Sequence, residues 1–273
     1  MSQDTPKAQL EPLQLTKNSR FQFKCGPELE CFTKCCRGID IVLTPYDIIR
    51  MKKRLDLDSE QFLAIYTKPQ LLEKTDLPVP VLRMLEDEEG QEDNPPCPFV
   101  RKEGCLIYED RPAACRYYPL GHATMRPKEG DETEEFFFFV KEPHCKGFEV
   151  EKDWTVAEWR KDQGVEEHDI INEGWNELVV RKRSFPPNIK ITEPAKKMFY
   201  MACYNLDQFR RFVFESTFLA LHPQDEKTIE AIRTDDVALL NVATTWLKGA
   251  LFAQGPMKVS EETAMKRVFN QGK

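Results

Sequence analysis

The chain lacks the long apolar run of a membrane protein. Even its phenylalanine-rich stretch at 136–140 is far shorter than the roughly 20 residues a spanning helix needs. The first twenty residues are polar, with neither an apolar core nor a small-residue cleavage pattern, so no export signal is read there and the expected location is cytoplasmic. There is no Walker loop, dinucleotide fingerprint, nucleophile elbow or zincin motif, and no internal repeat. Basic charge is short as well. The net charge is -7, and residues 25–145 hold 24 acids against 16 bases. Affinity for nucleic acid rests on Lys and Arg, so no nucleic-acid partner is expected. The acidic run Glu86-Asp87-Glu88-Glu89, with Glu92 and Asp93, is read as a solvated connector. A protein partner of unknown kind stays open.

Cysteine, by contrast, is plentiful and unevenly placed. Of nine in 273 residues, eight fall between positions 25 and 145: Cys25, Cys31, Cys35, Cys36, Cys97, Cys105, Cys115 and Cys145. In a reducing compartment eight unpaired thiols are an oxidation liability, and metal ligation removes it. The adjacent pair Cys35-Cys36 makes a poor disulfide but a reasonable pair of ligands, to one ion or split between two centres. Turn formers flank the others, in Pro95-Pro96-Cys97-Pro98, Gly104-Cys105 and Pro112 ahead of Cys115. All eight are therefore read as metal ligands. Lys34, Arg37, Arg111 and Arg116 beside them could offset thiolate charge, Arg116 being the best placed in sequence. His122 and His144 are read as polar neighbours, and Cys203 as a core thiol.

The stretches Cys31-Phe-Thr-Lys-Cys35-Cys36-Arg37, Pro96-Cys97-Pro98-Phe99 and Gly104-Cys105-Leu-Ile-Tyr108-Glu109-Asp110-Arg111-Pro112-Ala-Ala-Cys115-Arg116 resemble the YkgJ-type cysteine-cluster family. That family, of CxxCxxCC type, is described as chelating zinc or iron and as iron–sulfur proteins. The cluster is also distantly similar to that of flagellin lysine methylase, an iron–sulfur, S-adenosylmethionine-dependent methyltransferase. The resemblance implies metal binding, with a redox or S-adenosylmethionine-linked methyl-transfer role. Paired Cys-x2-Cys spacings typical of structural zinc are absent, whereas iron–sulfur clusters tolerate irregular spacing. An iron–sulfur cluster of 4Fe–4S type is favoured. Zinc is the alternative, as a structural module supporting protein–protein interaction. The spacing does not say which cysteines group together, or whether the protein is an enzyme.

The expected fold class is α+β, mainly α. A flexible tail (1–20) precedes an irregular, metal-centred domain (21–150) with a small antiparallel sheet, and a helical domain (151–273) follows. Thr44, Pro45 and Asp47 predict a helix to about 55, and Asp58 with Gln61 predicts another ending near 68. Strands are expected over 79–85, 117–125 and 135–141. Thr155 and Glu158 open a helix that Gly164 can end, and a further helix is expected over 166–181. Apolar spacing through Met198, Ala202, Leu206, Phe209 and Val213 predicts a helix that Asn205 and Gln208 could split in two. Residues 236–252 read as a helix, with a last short one after Ser260. Trp154, Trp159 and Trp175 are expected to pack the helical half onto the metal half.

Overall fold

The computed structural model describes residues 9–10, 14–85, 94–125, 134–186 and 189–252. The acidic run at 86–93 and the helix expected after Ser260 lie outside them. The fold is α+β and mainly α, with helices through the C-terminal half and strands in small sheets of two or three. Among the described residues no helix is long and apolar enough to cross a membrane. The chain makes two compact units, and neither is one continuous stretch. The first is Met1–Leu43 with Val81–Ile170, and the second is Thr44–Pro80 with Ile171–Lys273.

The first unit is built on aromatic packing. Strand Leu120–Met125 pairs antiparallel with Glu134–Lys141, whose far edge takes Gln9–Leu10. Strand Arg20–Gln22 pairs antiparallel with Asp153–Thr155. Between them lie Phe21, Phe23, Phe137 and Trp159, all buried, with Leu120, Val156 and Val165. The rings meet edge to face, as Phe23 does with Trp159 at 5.5 Å and Trp154 does with Trp159 at 5.3 Å, which adds about 1 kcal/mol per pair beyond area burial. Helix Val156–Gln163 starts at a Thr155–Glu158 capping box and stops where Gly164 turns left-handed at φ 66°.

One expectation in this unit needs correction. Residue 117 does not begin a strand. Ala113–Tyr117 is a short helix and the strand starts at Leu120, because Pro119 pushes Tyr118 into extended backbone and ends the helix there. Trp154 and Trp159 do pack onto the metal half, Trp159 on the Phe21 and Phe23 rings and Trp154 by donating to the Phe23 carbonyl at 2.9 Å. Trp175 lies in the second unit, where its Nε1 donates to the Tyr204 hydroxyl at 2.8 Å.

The second unit is helical, apart from strand Thr67–Leu71 and its pairing partner. Helix Pro45–Arg54 begins at a Thr44–Asp47 capping box and Ser59–Tyr66 at an Asp58–Gln61 box. Asn205 divides Glu193–Tyr204 from Leu206–Glu215 and caps the latter by accepting from Gln208 N–H. The helix expected over 166–181 is broken at Asn172. That side chain accepts from Tyr46 N–H and donates to Thr44 Oγ1, both at 3.1 Å, so it serves another helix's start.

A charge network joins the helix ends. Buried Lys52, in the last turn of its helix, reaches Asp207 at 2.7 Å and Asp236 at 2.9 Å. Both acids stand in the first turns of their own helices, the end that favours negative charge. Ser59 N–H and Oγ donate to Asp207 at 2.7 Å, and Arg210 bridges the two acids. Burial alone would raise the Asp207 pKa. Lys52 and the Ser59 donors outweigh it and hold the carboxyl at about 2.

A depressed carboxylate stabilises the fold above the unfolded value and loses that contribution as pH falls through the folded one. Stability worth about 2 kcal/mol is therefore expected to disappear between pH 4 and 2. Urea denaturation across this range should show Asp207→Asn less stable by about 3 kcal/mol at pH 7, with a flatter decline in acid.

Candidate metal centre

The eight cysteines come from four segments, and local backbone geometry decides where each one points. Lys34–Cys36 is a turn of 3-10 helix, entered through Thr33 in a left-handed conformation at φ 67°. Three residues per turn set consecutive side chains about 120° apart. Cys35 and Cys36 keep their sulfurs in contact all the same, 4.0 Å from each other.

Cys35 turns towards Cys25, Cys31 and Cys145. These four line one recess, completed by Phe23, Tyr118, His144 and Gly147 among others. Lys24 N–H donates to the Gly147 carbonyl at 3.0 Å, and Lys146 N–H donates to Cys31 Sγ at 3.2 Å, so the segment before Cys25 is clasped to the one after Cys145. Gly147 permits this approach. A Cβ there would stand 2.4 Å from the Phe23 ring and 2.8 Å from the Lys24 carbonyl.

Cys36 has Cys115 and Cys97 as its neighbours beyond Cys35, while Cys97 neighbours Cys105. Cys97 N–H donates to the Cys36 carbonyl at 2.8 Å, and Gly38 N–H to the Pro95 carbonyl at 2.9 Å. A tight hairpin pairs Val100 with Cys105 and turns at Gly104, φ 126°, a backbone angle open to glycine but strained for other residues. Arg116 braces this loop. Its guanidinium donates to the carbonyls of Arg111 at 3.0 Å, Gln163 at 2.8 Å and Glu109. The basic residues beside sulfur are Arg111, which favours the Cys105 thiolate, and Arg101, which favours that of Cys97.

None of the eight forms a disulfide. Burial, followed by Cys35, Cys31 and Cys145, pushes Cys25 up to about 11 although it is the exposed member. Burial likewise raises Cys97, Cys105 and Cys145. Backbone N–H groups oppose it, from Phe99 and Val100 at Cys97, Ile107 at Cys105 and Gly147 at Cys145. Within the adjacent pair, hydrogen bonding from Cys36 lowers Cys35, and Cys36 keeps its proton. Crowded thiols that raise one another, several of them met by amide donors, are matched by a cation that displaces the protons. Among the described residues, no three His, Cys, Asp or Glu side chains converge as a ready single-ion site.

A family model named CxxCxxCC and described as a "Putative zinc- or iron-chelating domain" matches residues 24–146. This segment is similar to that family. The match spans just under half of the protein, and the description names both zinc and iron. No curated protein and no solved structure matches the chain. Within the matched segment fall all eight cysteines of the two sets. Cys203 does not, being fully buried on helix Glu193–Tyr204 in the second unit. His122 sits away from the cysteines, stacked between the rings of Tyr117 and Phe137.

His144, read from sequence as a polar neighbour of the cysteines, lines the recess, and so does Tyr118, which sequence reasoning missed. Only its position near Cys115 could have hinted at a role. Gly147→Val is expected to lower metal loading by half, through the recess set alone. Cys203→Ala should leave metal content unchanged and cost about 1 kcal/mol in thermal unfolding.

Proposed function

We propose that the CxxCxxCC-like segment holds two iron–sulfur clusters of 4Fe–4S type and that the protein works in electron transfer. Cys25, Cys31, Cys35 and Cys145 would hold one, and Cys36, Cys97, Cys105 and Cys115 the other. The observation carrying this reading is that Cys25, Cys31, Cys35 and Cys145 line one recess, which Cys36 does not line, while Cys36 has Cys97 and Cys115 as neighbours beyond Cys35. Two centres joined through one peptide bond stand close together, which suits passage of electrons more than independent structural roles.

Bound there, such clusters would supply one-electron redox chemistry. The chain's own contribution is to meet the sulfurs of Cys31, Cys97, Cys105 and Cys145 with amide donors, wall the recess with the Phe23 and Tyr118 rings, and offset thiolate charge with Arg101 and Arg111. Sulfurs that neighbour one another without meeting at a point suit a four-iron core, which carries its own sulfides. A single zinc ion needs all four at about 2.3 Å. A methyl-transfer role rests on the likeness to flagellin lysine methylase alone, and we favour electron transfer.

Anaerobically purified protein should be brown and contain about eight irons and eight acid-labile sulfides per chain. Cys35→Ala and Cys36→Ala should each lose about half of both, from different centres distinguishable by their redox spectra. Stoichiometric zinc without sulfide would overturn the reading in favour of a structural zinc module.

A further inference from the structure

The recess shared by Cys25, Cys31, Cys35 and Cys145 contains two polar atoms that the protein does not satisfy. The Tyr118 hydroxyl and His144 Nε2 are shielded from solvent, and neither has a hydrogen-bond partner among the described residues. An unpaired buried donor costs about 1–3 kcal/mol, so such an atom calls for an acceptor. For Tyr118 the acceptor at hand is the Cys145 sulfur, which lines the same recess. A neutral thiol is a weak acceptor, whereas a metal-bound thiolate is a strong one.

The ring is not free to seek another partner. It packs edge-on against Phe23, with centroids 6.0 Å apart, and lies against the aromatic core. On the opposite side of the set, Lys146 N–H already donates to Cys31 Sγ.

We propose that Tyr118 is a positioning residue that hydrogen-bonds the metal-bound Cys145 sulfur and thereby raises the reduction potential of the recess centre. The proposal rests on the reading that this centre is an iron–sulfur cluster. A donor to a ligating sulfur withdraws electron density and favours the reduced, more negative state. Tyr118 would ligate nothing itself. Its effect would be confined to one of the two centres, because Cys36 does not line the recess.

The test begins with iron and sulfide analysis of the anaerobic wild-type protein, followed by a redox titration of wild type and Tyr118→Phe. The phenyl ring keeps its packing on Phe23 and loses only the hydroxyl. Full iron and sulfide are expected in the variant. One midpoint should become more negative, the equilibrium constant for reduction falling about tenfold, or about 59 mV for a one-electron couple. The other midpoint should stay in place. Unmoved potentials at full iron content would overturn the proposal and leave the cluster reading intact. Wild-type protein without iron and sulfide would overturn both. If Tyr118→Phe loses iron, 3-fluorotyrosine at position 118, the same shape with a stronger donor, decides the matter. It must move the same midpoint upwards, and a potential that stays or falls overturns the proposal.

Discussion

Cys35 and Cys36 occupy consecutive positions in one 3-10 turn, their sulfurs 4.0 Å apart, and the other six sulfurs gather around that pair. Cys25, Cys31 and Cys145 gather on one side, and Cys97, Cys105 and Cys115 on the other. The left-handed backbone at Thr33 holds the turn, and its strain is tolerable because both flanks are tied down. Lys146 N–H binds Cys31 Sγ before it, and Cys97 N–H binds the Cys36 carbonyl after it. A register shift of one residue in the turn would exchange the two cysteines and break both ties together.

The aromatic core performs for the first unit the task that disulfides perform in small secreted domains. With strands this short, backbone pairing gives little stability by itself. Phe21, Phe23, Phe137 and Trp159 supply the burial instead, and Phe23 also walls the recess. One residue thus belongs to the core and to the site. That is why Gly147 must be glycine: the backbone carrying Cys145 lies directly on the Phe23 ring. Loss of packing at Phe23 and loss of geometry at the cysteines are one event.

Features set by a few consecutive residues could be read from sequence. Thr44, Asp58 and Thr155 bond the amides three residues on, so their helices start where those side chains require. Asn205 divides its helix for the same local reason. The eight-cysteine set stood out by count and compartment. Features depending on distant partners were not visible. Nothing near Tyr117 reveals that the strand waits until after Pro119, and nothing near Lys52 reveals acids 155 and 184 positions away. Arg116 shows the same limit. Its place after Cys115 points to the cysteine loop, but not to the three local and distant carbonyls, of Glu109, Arg111 and Gln163, that its guanidinium ties together. The split of the cysteines into two sets depends on the clasp between Lys24 and Gly147, 123 positions apart, which no spacing rule encodes.

The two units differ in how charge is balanced, and this bears on what metal does for the fold. In the second unit Lys52 and Arg210 meet Asp207 and Asp236 directly, so its electrostatics are complete within the chain. In the first unit the thiols raise one another, and the nearby Arg101 and Arg111 do not offset the burial of Cys97 and Cys105. Burial favours the protonated form of those sulfurs, which makes a weaker hydrogen bond to the amide donors nearby. A metal bound there would displace protons and give those donors charged acceptors. Metal binding and ordering of the cysteine loops are therefore coupled free energies, while the helical unit draws its stability from contacts already made.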